Sequence, residues 1–175
     1  MNMLVGTFFS EIGNDLLAEL NRSHKIGQED QERLKIRKSW TNKDFDRAMQ
    51  EIQFLEPEPR IDPDRLEAMR GLLVPKRQFL LLLLGNPNLL EHEPFTDLLW
   101  AVFHLLEELS RRDDLKSLPN SDINHLTRDA GRVYDRILVE WFRYMKNLKD
   151  DYPYLYSLEL RINPFEESRS AIVVE

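Results

Sequence analysis

Apolar residues recur at helical spacing along most of this chain, and the polar breaks between them divide it into a series of helices. Leu4, Val5, Phe8, Phe9, Ile12, Leu16, Leu17 and Leu20 predict a first amphipathic helix, weakened by Gly6 and Gly13. The stretch from Gly27 to Ser39 is strongly charged, with Leu34 and Ile36 as its only aliphatic residues, and reads as a solvated helix or linker. Thr41 is placed to cap a helix reaching about Leu55, with Phe45, Met49, Ile52 and Leu55 on its apolar face. Glu56-Pro57-Glu58-Pro59 ends that helix and marks the clearest linker. Asp62-Pro63-Asp64 then carries three helix-start signals together: a capping carboxylate, a proline suited to the first turn, and negative charge at the positive helix end. The helix it opens runs to about Leu73. Pro75 restarts the chain, and Phe79 to Leu84 is apolar around every face, which predicts burial on all sides until Gly85-Asn86-Pro87.

Two long helices dominate the second half. After Pro94, a helix to about Arg112 gathers Phe95, Leu98, Leu99, Val102, Phe103, Leu105, Leu106 and Leu109 on one broad face. Its polar stripe is Asp97, His104, Glu108 and Arg111. Pro119-Asn120-Ser121-Asp122 opens a longer helix to about Lys149, striped by Ile123, Leu126, Ala130, Val133, Ile137, Trp141, Met145 and Leu148. The expected fold is all-α: an irregular helical bundle built around a long antiparallel hairpin of residues 94–112 and 122–149. Residues 152–165 alternate like a strand yet also fit a helix, and helix is favoured because no other strand is visible to pair with it. The domain reading is N-terminal helices with a charged connector over 1–56, a bundle domain over 60–167, and a flexible tail over 168–175 whose Ala171–Val174 could add a strand to a partner.

Composition narrows the function. The chain has 175 residues, 42% hydrophobic and 31% charged, enough to bury a core under a polar surface. A net charge of −7 opposes nucleic-acid binding, which is built on phosphate neutralisation by Lys and Arg. The absence of cysteine excludes disulfides, thiolate nucleophiles and cysteine-based zinc or iron–sulfur sites, and agrees with a cytoplasmic location. MNMLVGTFF lacks the basic start and small-residue cleavage site of a secretory signal. It reads either as a helix start that packs on the domain or as the tail of a severed membrane helix. RLKIRK reads first as a solvated helix end; the alternative makes Arg33, Lys35, Arg37 and Lys38 membrane-proximal basic candidates, each adding about 1 kcal/mol at an anionic surface.

Catalytic signals are sparse. No nucleophile elbow, P-loop or Gly-x-Gly-x-x-Gly occurs, and six glycines leave little material for a phosphate-cradling loop, so neither an enzyme nor a cofactor is expected. His92, His104 and Glu108 are weak metal candidates through imidazole and carboxylate donors, but an exposed His–Glu helix pair is the favoured account of His104 and Glu108, and no metal is expected. His125 reads as a surface histidine on the arginine-bearing face of its helix. Trp100 and Phe103 on one long helix, with Val139 and Phe142 on the other, are interface candidates, because the second helix has apolar residues beyond its main stripe. Protein partners are therefore expected, a homo-oligomer among them.

The run Asn86-Pro87-Asn88-Leu89-Leu90-Glu91-His92-Glu93 continues as PFTDLLWAVFHLLEEL, followed by Leu118-Pro119, EWFRYMKNLKDDYPYLYSL and Asn163-Pro164-Phe165. Together these resemble the cytosolic C-terminal region of prokaryotic two-transmembrane, potassium-channel-like proteins, over roughly Pro75 to Glu167. The resemblance implies a non-enzymatic cytosolic regulatory or assembly domain associated with such a membrane protein. A stand-alone intracellular helical adaptor is the alternative, and a metal-binding bundle enzyme a minor one. The chain holds no selectivity filter, so no pore residue transfers from that family.

Overall fold

The computed structural model describes residues 3–24, 26–55, 61–166 and 168–174. The first amphipathic pattern forms one helical rod, α1 (Met3–Phe8) and α2 (Asn14–Ser23), joined by a π-helical turn over Phe9–Gly13. A π turn inserts extra chain into a helix and shifts its phase. Here the turn begins at Phe9, and the consecutive Phe8 and Phe9 both enter the core. Phe8 meets Phe95 edge-on at 5.4 Å, and Phe9 stacks on Tyr144 at 4.8 Å. Gly13 is the residue that leaves room for both rings. A Cβ there would stand 2.5 Å from the Phe9 ring and 2.9 Å from the Phe8 ring.

The next helices are α3 (Gln28–Leu34), α4 (Asn42–Glu51) and α5 (Pro63–Leu73). The two predicted starts are in place: the Asp44 carboxylate accepts the Thr41 N–H at 2.7 Å, and the Asp62 carboxylate accepts the Asp64 N–H at 2.7 Å. Then follow α6 (Arg77–Leu84), α7 (Glu93–Ser110), α8 (Asn120–Asp151) and α9 (Pro153–Arg161). No strand occurs among the described residues, so the fold is an all-α, irregular bundle. The ambiguous segment after Tyr152 is helical, as favoured. The Glu56–Arg60 linker lies outside the described residues, as do Met1 and Asn2 of the N-terminal run.

Residues 120–151 of α8 make about 48 Å of helix. Along its middle it buries Val133 with Tyr134, Ile137 with Leu138, and Trp141 with Phe142, two neighbours per turn. Such a face is wider than one helix can cover. α7 packs on one side of it, and α4, α2 and α9 pack on others. A single apolar cluster results, from Phe8 in the first helix to Tyr156 in the last. Polar clasps close it. Asn14 donates to Glu159 at 2.9 Å, Asn21 donates to the Pro164 carbonyl at 3.1 Å, and the Tyr134 hydroxyl donates to Asn21 at 2.8 Å.

Packing departs from the sequence reading at α6. Leu80 and Leu83 are buried as expected, but Leu81 is exposed and Leu82 is 74% exposed. The eight-residue helix lies on α7 by one face and leaves Leu81 and Leu82 exposed on its outer side. In the tail, Arg161 donates to the Ala171 carbonyl at 3.0 Å, and Ile172, Val173 and Val174 are exposed.

Two expectations follow from this packing. Alanine at Gly13 gains about 1 kcal/mol of helix propensity but must displace two fully buried rings, a cost of about 1–3 kcal/mol. Gly13→Ala should therefore lower the urea midpoint, and an unchanged or raised midpoint would remove the steric role. His24 is buried, stacks on Tyr134 at 4.5 Å, and has its pKa pushed below the ordinary 6.5, chiefly by desolvation. A group neutral in the fold binds its proton more readily when unfolded, so stability falls as pH drops below the unfolded value. His24→Phe keeps the ring stack without the titration. Between about pH 7 and pH 5 it should lose less stability than the parent, read from paired denaturant curves.

Candidate functional site

Contacts between α7 and α8 run in opposite order along the two helices. Arg112 meets Asp122, Glu108 meets His125, and His104 meets Asp129. Each helix also carries an i,i+4 pair on this seam, His104 with Glu108 and His125 with Asp129. One turn of helix sets His and acid side by side, and the pairing of the helices brings the two pairs together. His104 Nε2 lies 3.6 Å from Glu108 Oε1 and 3.2 Å from Asp129 Oδ2; His125 Nε2 lies 3.4 and 3.3 Å from the same two oxygens. One donor atom each from His104, Glu108 and Asp129 fall within 4.8 Å of one another.

The two carboxylates are held alike. Asp129 Oδ1 accepts from Arg132 at 3.0 Å, and Glu108 Oε2 accepts from Arg112 at 2.8 Å. In each case the second oxygen is turned to the histidines. The Arg112 guanidinium holds the Glu108 carboxyl below its ordinary value, with His125 adding to the effect, and it does the same for Asp122. Glu108 is therefore an anion at neutral pH. The Asp129 side chain is only 4% exposed, and its Oδ2 makes no hydrogen bond despite the two nearby imidazoles. The histidines are open to solvent, at 47% and 40%.

The structure thus joins His104 to Glu108 but separates His92 from both. His92 lines a different, open cleft of about 960 Å³ with Leu4, Phe95, Glu140, Arg143 and Tyr144. Burial pushes the Glu140 carboxyl up there, against the opposing effect of its Arg143 ion pair. Asp129 was missed from the sequence because an aspartate amid Arg128 and Arg132 reads as surface charge. The usable signal was the repeated His-x-x-x-acid spacing on two helices.

Of the interface candidates, Trp100 is 56% exposed and touches Phe103 edge-on at 6.3 Å. Phe103 and Val139 are partly buried against the core. Phe142 is fully buried, stacked on Trp40 at 6.0 Å, so its partner is inside the chain. Arg77 of α6 lies over the Phe103 ring at 5.2 Å and pairs with Glu107. Leu81, one turn on from Arg77, is exposed. A shallow depression beside Trp100 is lined by Asp97, His104, Arg132 and Arg136, so it adjoins the histidine cluster. Among the basic candidates, Arg33, Lys35 and Arg37 pair with Asp30, Glu166 and Glu32, and Lys38 is exposed. No helix among the described residues is long and apolar enough to cross a membrane.

Comparison with known proteins places the chain. Residues 1–161 match the family described as the C-terminal helical domain of uncharacterized protein MJ1433. The chain belongs to this family. It is 43% identical to uncharacterized protein MJ1433 of Methanocaldococcus jannaschii over all 175 of its residues, covering 70% of that protein. No solved structure matches.

Arg112 ties the end of α7 to the start of α8 through two bonds of 2.7 Å to Asp122 and one of 2.8 Å to Glu108. Replacing this partly buried fork with methionine should cost about 1–3 kcal/mol at neutral pH. A depressed carboxyl stabilises above its unfolded pKa and loses that contribution as pH falls through its folded value. The deficit of Arg112→Met should therefore shrink on acidification, and a deficit independent of pH would show that packing of the arginine stem dominates.

Proposed function

We propose that the chain is a non-enzymatic helical interaction domain whose antiparallel α7–α8 pair forms a rigid core and whose α6–α7 face receives a protein partner. The observation that carries this reading is the uncovered leucine face of α6: Leu82 is 74% exposed next to exposed Leu81, and Trp100 is exposed on α7, the helix against which α6 packs. An apolar patch rimmed by charge is the usual composition of a protein interface, and tryptophan and arginine are its usual anchors. Arg77, Arg132 and Arg136 flank this face, so the partner presents apolar side chains ringed by carboxylates. A second copy of this chain, at net charge −7, satisfies that description as a homo-oligomer.

The family match supports a helical domain and its description contains no channel. Attachment to a potassium-channel-like membrane protein is the narrower version of the same reading, and it rests on the resemblance beginning at Asn86. The broader adaptor reading needs no such tether. We place its action in the cytoplasm, where a chain without cysteine needs no oxidising environment.

A photo-crosslinking residue placed at position 82 or 100 in native cells should trap a defined adduct, either with another protein or with a second copy. The same residue at exposed Arg128 should not. Equal labelling at all three positions would overturn the assignment of this face. Leu82→Glu should leave folding stability within about 0.5 kcal/mol, because the side chain is already in solvent, while abolishing the adduct formed from position 100.

A further inference from the structure

We propose that His104 Nε2, His125 Nε2, Glu108 Oε1 and Asp129 Oδ2 hold one zinc-class divalent ion that staples α7 to α8. The donor set is two imidazoles and two carboxylates, which suits borderline divalent metals of the zinc kind. Ligand bonds of about 2.0–2.2 Å in a tetrahedral site set neighbouring donors about 3.3–3.6 Å apart. The four imidazole–carboxylate separations are 3.2, 3.3, 3.4 and 3.6 Å; His104, Glu108 and Asp129 offer three donors within 4.8 Å of one another, and His125, which reaches the same two oxygens from α8, turns in to complete the set.

A second observation points to a ligand. Asp129 Oδ2 is buried and makes no hydrogen bond, although two ring nitrogens stand within 3.3 Å of it. A network of plain His–carboxylate hydrogen bonds would satisfy that oxygen; the approach found here leaves its lone pairs unused. Unsatisfied buried oxygen is costly, and a cation at the centre of the four donors removes the cost. The outer contacts fit as well. Each carboxylate has one oxygen pinned by an arginine, Arg132 on Asp129 and Arg112 on Glu108, leaving the other fixed toward the site. Supporting residues of this kind orient metal ligands and hold their rotamers. Asp122 takes up two of the Arg112 bonds, which reduces the positive charge left facing the cation.

The inference rests on the pairing of α7 with α8 and not on the docking face, so the two stand or fall separately. The test uses the full chain, stripped with chelator and titrated with Co²⁺, read by calorimetry and by the visible bands of the bound ion. The expected result is one equivalent bound with tetrahedral bands, displaced by Zn²⁺. His104→Ala and His125→Ala, both at solvent-exposed positions and checked for native helicity, should lose the bands. His92→Ala, in the separate cleft, should keep them. Arg132→Met should weaken binding about 10–100-fold through the loosened Asp129. Failure of the parent chain to bind, or binding that persists in both histidine variants at cluster positions, would overturn the site.

Discussion

The width of the buried face on α8 governs this fold. With Val133 and Tyr134, Ile137 and Leu138, and Trp141 and Phe142 all buried, one helical neighbour cannot exclude water from it. α7 alone would leave Trp141 and Phe142 open. The N-terminal rod supplies Phe9 against Trp141 at 5.7 Å, and the segment before α4 supplies Trp40 against Phe142. The chain must therefore bring its beginning back onto its longest helix, over more than a hundred residues of sequence. The π turn sits where that rod meets the core, directly after Phe8 and beginning at Phe9, both of them fully buried.

Helix identity was legible because it is local. Thr41 with Asp44, and Asp62 with Pro63 and Asp64, are cap chemistry that needs no tertiary partner, and both starts fall where those residues stand. The long stripes on α7 and α8 were legible for the same reason. What escaped depends on which elements meet. Phe142 reads as a surface seam until Trp40 arrives from a distant segment. Leu82 reads as core, since hydropathy records a preference for burial and not whether a neighbour exists to provide it. Gly13 reads as a weak point, while its role is to admit two rings that the local pattern does not reveal.

The candidate site was half legible. His104 and Glu108 announce themselves by spacing on one helix, and the pair alone is an ordinary surface contact of a few tenths of a kcal/mol. The difference comes from register. The contact of Arg112 with Asp122 near the connection goes with Glu108 against His125 and His104 against Asp129, so two unremarkable pairs meet across the helices. Asp129 changes character most: a charge in an arginine-rich stretch becomes a nearly buried acid with one oxygen unbonded.

His104 belongs to two features at once. Its ring nitrogen enters the cluster, and its side chain lines the depression beside Trp100. Arg132 is shared in the same way, bonding Asp129 while lining that depression. A cation drawing in His104 and fixing Asp129 would therefore also fix the polar edge of the docking face. Coupling of this kind is reciprocal: if the ion strengthens partner binding, the partner strengthens ion binding by the same factor. The side chains on this edge are half in solvent and cost conformational entropy to order, and whichever ligand arrives first spares the other that cost. The seam between α7 and α8 thus joins the two proposals physically while each keeps its own test.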